Sequence, residues 1–452
     1  MSNNIDLKKG LNIPVKGCAE LTVSKAVVPG IAAICPSDFK GLSARLLVRE
    51  GDQVLAGSPV LADKKNPEIL VTSPVSGTVK EIVRGDKRKL LAVLIEAGSE
   101  QEYVDFGIKR AEDLKADEVR SALLQSGLWM ALVQRPYGIV ADPAVKPKAI
   151  FVSAFNTAPL AADVDFVLAD QFAAVQAGVN ALAKLTDGGV HVSLESSKYS
   201  SSPLHKLENA VLHTFSGKHP AGNVGVQISH ISPIRKEETV WTISPVLLAA
   251  VGKLFTKGRL DLTRKVAVTG PAAASPAYIE TIPGAPVKAA EALIGSTEGV
   301  RIVSGDILSG KCVGAEGYLG FFDNQITVLR EGTEKELLGW ARPFRFNQFS
   351  STMSYFSWLL PKKQYDMDTN LHGGPRAFIM PEDYYQKVLP MDIYPLYLTK
   401  ACLAGDIDKM EKFGIYEVLP EDLALCEYID PSKNNIQDIV ANGIDLMLKE
   451  MA

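Results

Sequence analysis

Between Val48 and Ile82, apolar and polar residues alternate in short runs separated by turn formers, the rhythm of small half-buried strands. Glu50-Gly51-Asp52 forms a first turn, Val54 and Leu55 start a strand, Gly57 permits a second turn, and Val60-Leu61 continue. The rhythm then repeats. Ile69 to Thr72 and Thr78 to Val83 flank Ser73-Pro74 and Ser76-Gly77, residues suited to tight turns. Past Gly98 the period changes. A charged stretch from Ser99 to Ala116 leads to Asp117, a predicted helix N-cap, and Val119, Leu123, Leu124, Leu128, Trp129 and Leu132 then recur at helical spacing until Arg135-Pro136-Tyr137-Gly138 ends the helix. Ala149 to Ser153 predicts a buried parallel strand. Val164 to Leu168, a helix around Phe172 to Leu185 and a strand over Val190 to Leu194 continue a β-α-β alternation.

Farther along, Lys265 to Thr269 and Gln325 to Leu329 read as strands, and between them Gly284-Ala285-Pro286-Val287 makes the turn before a short helix from Lys288 to Ile294. Beyond Gly332 the texture shifts. Phe344, Phe346, Phe349, Tyr355, Phe356, Trp358, Leu359 and Leu360 crowd ahead of Lys362-Lys363. That composition suits a membrane interface or a partner groove, and equally the packing of a tail on the first two domains. His372-Gly373-Gly374-Pro375-Arg376 reads as a loop, and helices around Leu396 to Leu403, Asp406 to Lys412 and Ile436 to Leu448 finish the chain as docking elements.

The fold class is therefore α/β and multi-domain. The paired halves within residues 1–100 have the pattern of a biotinyl/lipoyl-type barrel-sandwich, with Asp63-Lys64-Lys65-Asn66-Pro67 at the hairpin tip where such domains carry a cofactor on lysine. Here a second lysine and Asn-Pro replace the usual Asp-Lys-Ala or Met-Lys-Met context, so a structural barrel stands beside a carrier modified on Lys64. Residues 101–258 read as a Rossmann-like α/β domain without its nucleotide loop: Arg135 to Pro143 puts two prolines and bulky side chains where glycines would bare the backbone to phosphate.

Composition narrows the function. At 452 residues the chain has room for about three domains of ~150 residues. A formal charge of −4, with no basic face interleaved with aromatics, argues against nucleic acid. No apolar run reaches the ~18 residues of a membrane span, and MSNNIDLKKG lacks the apolar core of a signal peptide. Cys18, Cys35, Cys312, Cys402 and Cys426 are scattered without a C-x-x-C pair, so neither a disulfide framework nor a cluster motif forms. His191, His205, His213, His219 and His230 match no zinc spacing, and loop and capping roles are expected of them. The serines from Ser196 to Ser202 lack a nucleophile elbow, and no paired carboxylates stand out; catalysis by this chain alone is not expected.

Eight features together carry a resemblance: GLNIPVKG from Gly10, DKKNP from Asp63, RGDKRKL from Arg84, SGLWMALVQRP from Ser126, HPAG from His219, VSGDILSG from Val303, EDLALCEY from Glu421 and the closing helix. Nearly end to end, the chain resembles the A subunits of sodium-translocating NADH:quinone oxidoreductases, which are similar in turn to the C subunit of the ferredoxin:NAD oxidoreductase and to the NADH-binding flavoprotein of respiratory complex I. The resemblance implies a β-grasp domain of the soluble-ligand-binding type over 259–331 and a mostly helical docking region over 332–452. It implies a peripheral component on the cytoplasmic face of the bacterial inner membrane, within a six-subunit pump, beside the membrane subunit that reduces quinone. Flavins, the iron–sulfur centre and the NADH site are then expected in partner subunits, with no cofactor in this chain. Only Cys426 remains where relatives carry cysteine clusters. A quinone head requires an apolar slot with an aromatic face and donors near its carbonyls. Two loops are candidates for it: Ile34 to Leu42, with Phe39 and Lys40, and Trp129 to Tyr137, with Trp129, Arg135 and Tyr137. The alternative is a scaffold that never touches quinone.

Overall fold

The computed structural model describes residues 4–26, 29–334, 344–351, 355–370 and 382–450. Residues 31–97 build the predicted sandwich. One sheet runs Ile31–Ile34, Leu90–Ala97, Gly77–Arg84, Gln53–Val54; the other runs Ala44–Leu46, Pro59–Asp63, Leu70–Thr72, and all pairs are antiparallel. Alternation places Val60, Leu61, Val71, Val79, Val93 and Ile95 in one shared core. Lys64 and Lys65 are exposed at the turn after Pro59–Asp63.

The first segment does not join that sandwich. Asn4–Leu7 pairs in parallel with Ala210–Gly217, and Val23–Ala26 pairs in parallel with Ala277–Thr281. Residues expected within the 1–100 unit thus form the edges of two other sheets. Local alternation cannot reveal a partner 210 residues away.

The α/β layer is a seven-stranded sheet ordered Asn4–Leu7, Ala210–Gly217, Val190–Glu195, Ile150–Ser153, Val240–Thr242, Val133–Arg135, Ile139–Val140. Its first five strands are parallel, and the last two add an antiparallel hairpin. Because the chain steps outward from Ile150–Ser153 in one direction and later returns on its other side, the order reverses there, and such a reversal opens a crevice at the carboxyl ends of the strands. Helices Phe172–Leu182 and Pro245–Lys257 pack against each other beside this sheet. The second begins with Ser244 capping the Leu247 N–H at 3.3 Å and Pro245 in its first turn, and it ends on Gly258 at φ 67°.

Three local expectations fail for physical reasons. The apolar spacing from Val119 to Leu132 is not one helix: Ala116–Gln125 is helical, Gly127 turns left-handed at φ 76°, and Leu128–Ala131 is a short 3-10 turn driven into the core. Its N-cap is Lys115 rather than Asp117, because the Glu118 carboxylate accepts the Lys115 N–H at 2.8 Å. Val164–Val167 is a helical turn rather than a strand, started by Asp163 accepting the Phe166 N–H at 3.0 Å.

A six-stranded sheet follows, ordered Lys311–Cys312, Val300–Ser304, Gln325–Arg330, Arg264–Thr269, Ala277–Thr281, Val23–Ala26, with Val287–Ala290 and Glu291–Ile294 forming the short predicted helix as two turns. Helices Pro395–Ala404, Ile407–Lys412, Ala424–Ile429 and Ile436–Glu450 bury Leu398, Met410, Leu425 and Ile444 against Leu7, Phe215 and Val226 in a second core. The expected loop from His372 to Arg376 lies outside the described residues.

The helix pair sets a stringent packing limit, since a Cβ at Gly252 would fall 1.7 Å from the Ala174 carbonyl oxygen. Gly252→Ala is expected to cost about 1–3 kcal/mol by overpacking, whereas Gly30→Ala, where no atom lies within 4 Å of the new Cβ, should stay within about 0.5 kcal/mol. Urea unfolding of both variants checks the difference.

Candidate functional site

Arg135 ends the strand Val133–Arg135, second from the edge of the seven-stranded sheet, and is 1% exposed. Its Nη1 donates to Asp422 Oδ2 and its Nη2 to Glu421 Oε1, each at 2.9 Å, across 287 and 286 residues of chain. Burial disfavours the guanidinium charge, but the two carboxylates more than offset this and hold its pKa above the usual value. Asp422 is also buried, and its Oδ2 accepts the Leu419 N–H at 3.0 Å. A Cβ at Gly225 would lie 2.3 Å from Asp422 Oδ2 and 2.4 Å from Arg135 Nη1, so only glycine fits. The Asp422 carboxylate therefore sits against the first turn of helix Val224–Ile231, beside Asn223, whose side chain makes no cap bond of its own. Helix N-termini at strand carboxyl ends are anion sites. Here the anion is the protein's own.

The polar seam continues around this pair. Ser153, at the carboxyl end of Ile150–Ser153, donates to the Gly222 carbonyl at 2.8 Å and accepts from Gln227 Nε2 at 2.8 Å. His219 is 3% exposed, with Nδ1 3.2 Å from Thr157 Oγ1, and burial lowers its pKa to about 4. The other histidines expected in loop and capping roles are also engaged by protein: His191 with His213 at 2.9 Å, His205 with the Ser202 carbonyl at 2.6 Å, and His230 with the Val226 carbonyl at 2.9 Å.

The five residues nominated for quinone do not converge on one slot. Trp129 is a core pillar, 0% exposed, donating from Nε1 to the Ala141 carbonyl at 2.8 Å and packed edge-on against Trp241. Arg135 is consumed by its carboxylates. Tyr137, at φ 85°, packs 6.3 Å from Tyr416, whose hydroxyl donates to Glu411 Oε1. Lys40 pairs with Asp445 of the last helix at 3.1 Å, and its carbonyl accepts the Val140 N–H at 3.0 Å. These last contacts bring the two nominated loops side by side, but as a docking seam for the helical region. Phe39 points elsewhere: it is 4% exposed, and its ring lies 4.9 Å from Phe321 and 6.2 Å from Phe322.

That aromatic cluster backs a cleft of about 410 Å³ between the barrel loop at Cys35 to Asp38 and the six-stranded sheet. Asp38 Oδ2 accepts the Phe321 N–H at 3.0 Å and Asp323 Oδ2 accepts the Ser304 hydroxyl at 2.6 Å. Burial raises the pKa of both carboxyls, and burial together with Asp38 pushes the Cys35 thiol up to about 11. Lys311 reaches across to Ser37 Oγ at 3.3 Å. Behind the cleft, Arg264 is 1% exposed and donates to the Phe321 carbonyl at 2.9 Å, while its Nε and Nη2 find no hydrogen-bond partner among the described residues. The cleft combines a volume in the range of small-molecule sites with aromatic faces and a few polar groups. Phe321-Phe322-Asp323 was the missed signal, an aromatic pair beside an acid ahead of a strand.

Three domain models match in chain order: an NqrA N-terminal barrel-sandwich hybrid domain over 5–98, an NqrA second alpha/beta domain over 114–260 and an NQRA C-terminal domain over 265–314. The chain is 37% identical over 432 residues to the A subunit of the Na(+)-translocating NADH-quinone reductase of Yersinia pestis bv. Antiqua (strain Angola), covering 95% of this chain and 96% of that one. It is 36% identical over 451 residues to the A subunit of the same enzyme from Pasteurella multocida (strain Pm70), covering 99% of this chain and 100% of that one. The chain belongs to the family of Na(+)-translocating NADH-quinone reductase A subunits. Among solved structures, an NAD+-reducing [NiFe]-hydrogenase in the H2-reduced state matches with a TM-score of 0.35 and 12% identity over 75% of this chain and 61% of that one, too loose a likeness to guide the reading.

Within the frame of that family, the barrel-sandwich of residues 31–97 lies inside the first match, and all strands of the α/β layer except Asn4–Leu7 lie inside the second. The third domain match stops at residue 314. The aromatic wall of the cleft, Phe321 and Phe322, lies just past it.

Removing one partner of a buried ion pair leaves the other charge uncompensated, so Arg135→Met and Asp422→Leu should each cost about 3–5 kcal/mol, while the double variant should cost clearly less than their sum. Denaturant unfolding of the three chains checks this. Acid should weaken the same seam. With a folded pKa near 4 against an unfolded value near 6.5, His219 stays neutral in the folded chain while the unfolded chain takes up a proton. Its contribution is complete above pH ~6.5 and is lost as pH falls toward ~4, by on the order of 3 kcal/mol. His219→Gln should flatten the urea midpoint against pH in that window.

Proposed function

We propose that this chain acts as the A subunit of a sodium-pumping NADH:quinone oxidoreductase, a peripheral component that supplies part of the quinone contact and holds no redox group itself. The observation that carries the reading is the relationship to A subunits of that enzyme across 95% of the chain. Among the described residues no helix is long and apolar enough to cross a membrane, which fits attachment at the cytoplasmic face through partner subunits.

In this reading the α/β layer is a Rossmann-like domain whose nucleotide crevice has been filled from within. Asp422 and Arg135 take up the space and the charge that a phosphate would need, and Arg135 to Pro143 offers no bare glycine loop. Flavin, iron–sulfur and NADH chemistry then belong to partner subunits. The third domain is a β-grasp: a hairpin, Arg264–Thr269 with Ala277–Thr281, then a helix, then Val300–Ser304 and Gln325–Arg330, with the first and last strands parallel at the centre.

The quinone contact moves from the nominated loops to the cleft in front of Phe39. Phe321 and Phe322 offer ring faces, and Tyr318 and Lys311 offer donors for the carbonyls. A pure scaffold is the second reading, and one observation favours it: Lys40, Arg135 and Tyr137 are all spent on docking the C-terminal region.

Affinity purification of the tagged chain from mildly solubilised native membranes is expected to bring down flavin-bearing membrane subunits in fixed ratio; elution alone would sink the family role. In the purified complex, Phe322→Ala should weaken binding of a quinone analogue roughly 2- to 10-fold, the range of one lost ring contact. Phe39→Ala should instead lower stability, because that ring is buried. Unchanged analogue affinity in Phe322→Ala and Tyr318→Phe leaves the scaffold reading.

A further inference from the structure

The aromatic stretch beyond Gly332 is absorbed neither by the core nor by the cleft. Tyr365 is 4% exposed; it bridges to Val15, and its hydroxyl donates to the Ser357 carbonyl at 3.2 Å. Phe344 and Phe346 contact the Phe356 ring at 5.3 and 6.4 Å, and Lys363 Nζ donates to the Phe346 carbonyl at 2.7 Å. These contacts fasten residues 344–348 and 355–365 into one lobe. From it project Phe344, Trp358, Leu359 and Leu360, at 75, 50, 53 and 43% exposure, with Pro361 and Lys362 exposed next to them. Large apolar side chains clustered at the surface at this level mark a contact.

Charge indicates which contact. Between Phe344 and Lys363 the sequence has Arg345, Lys362 and Lys363 and not one Asp or Glu, in a chain whose formal charge is −4. Indole and phenyl rings on a projecting turn, with leucines at the tip and ammonium groups beside them, match the strata of a bilayer surface: acyl boundary, aromatic belt, anionic headgroup. We infer that this lobe seats directly on an anionic phospholipid surface, with Trp358, Leu359 and Leu360 entering the interface and Lys362 meeting headgroup phosphates, whether or not the cleft holds quinone.

The test is flotation of the purified full-length chain with vesicles of phosphatidylglycerol and phosphatidylcholine, against vesicles of phosphatidylcholine alone. Binding to the anionic vesicles at low salt, weakened at high salt and at least tenfold lower to the neutral ones, is expected. The variant W358S/L359S/L360S should lose that binding at least tenfold with an unchanged melting temperature, and Lys362→Glu should weaken it while leaving the apolar tip intact. Fluorescence of Trp358, taken as the difference between wild type and Trp358→Phe, should be quenched by brominated acyl chains. A wild-type chain that stays out of the anionic vesicle fraction, or a triple variant that floats as well as wild type, overturns the inference. So does a triple variant that still floats but no longer co-purifies with membrane subunits, since the lobe would then be a protein contact.

Discussion

The Arg135 guanidinium is the constraint around which the rest is arranged. A charge 2% exposed cannot be left without carboxylates, and the two it finds come from the turn Pro420–Leu423, far along the chain. Desolvating such a pair consumes most of what its attraction returns, so its effect is less net stability than orientation. Meeting Arg135 at 2.9 Å requires Asp422 to lie over Gly225 and to accept the Leu419 N–H, which fixes the approach of the helical region to the sheet. Once that angle is set, Leu398, Met410 and Ile444 close a core with Phe215 and Val226.

A second constraint comes from the beginning of the described chain. Asn4–Leu7 covers one edge of the seven-stranded sheet and Val23–Ala26 one edge of the six-stranded sheet, so one short segment straps the two together and hides two edges that would otherwise invite pairing with another chain. Between them Val15 bridges to Tyr365. The lobe carrying Trp358 thus hangs on the same strap, which gives an exposed apolar surface a fixed base.

How much of this was legible depended on whether the deciding partner was local. The sandwich strands could be read because alternation around Val60, Leu61 and Val79 is itself the burial pattern. The helix Phe172–Leu182 and the strand Val190–Glu195 followed from the change of period. The run from Val119 to Leu132 misled because apolar spacing continues through Gly127, where a left-handed residue breaks the helix and Leu128 to Leu132 are buried from a new direction. Val164 to Leu168 is a short apolar run that periodicity cannot assign, and Asp163 was the cap that would have assigned it. Among the nominated residues Phe39 did lead to an aromatic cluster, but its partners Phe321 and Phe322 stand about 280 residues later. Arg135 looked like a free donor; its acids lie in the EDLALCEY motif, which carried the resemblance and a cysteine but no local sign of a partner for Arg135.

The two sides of the barrel are held with unequal strength, and this bears on what the cleft can do. Toward the helical region it is tied by Lys40 to Asp445, an exposed pair worth little; toward the α/β layer it shares a buried core that joins Val71 and Ile95 to Leu123 and Trp129, and the Thr72 hydroxyl donates to the Ser126 carbonyl at 2.8 Å. Toward the six-stranded sheet, Asp38 on the Phe321 N–H and Lys311 on Ser37 cross the cleft, the Ala33 N–H donates to the Gly284 carbonyl at 2.9 Å, Phe39 packs on Phe321 and Phe322, and Tyr318 packs against Ala33, Ala92 and Leu94. The seven-stranded sheet and the helical region, by contrast, are locked by a buried ion pair and a shared core. Because the barrel is fixed to the α/β layer by the core around Trp129, the width of the cleft depends on the contacts between the Cys35 to Asp38 loop and the six-stranded sheet. A planar ligand gripped between Phe322 and the Asp38 loop would add its contacts to those, so its binding free energy would stabilise the loop against the sheet.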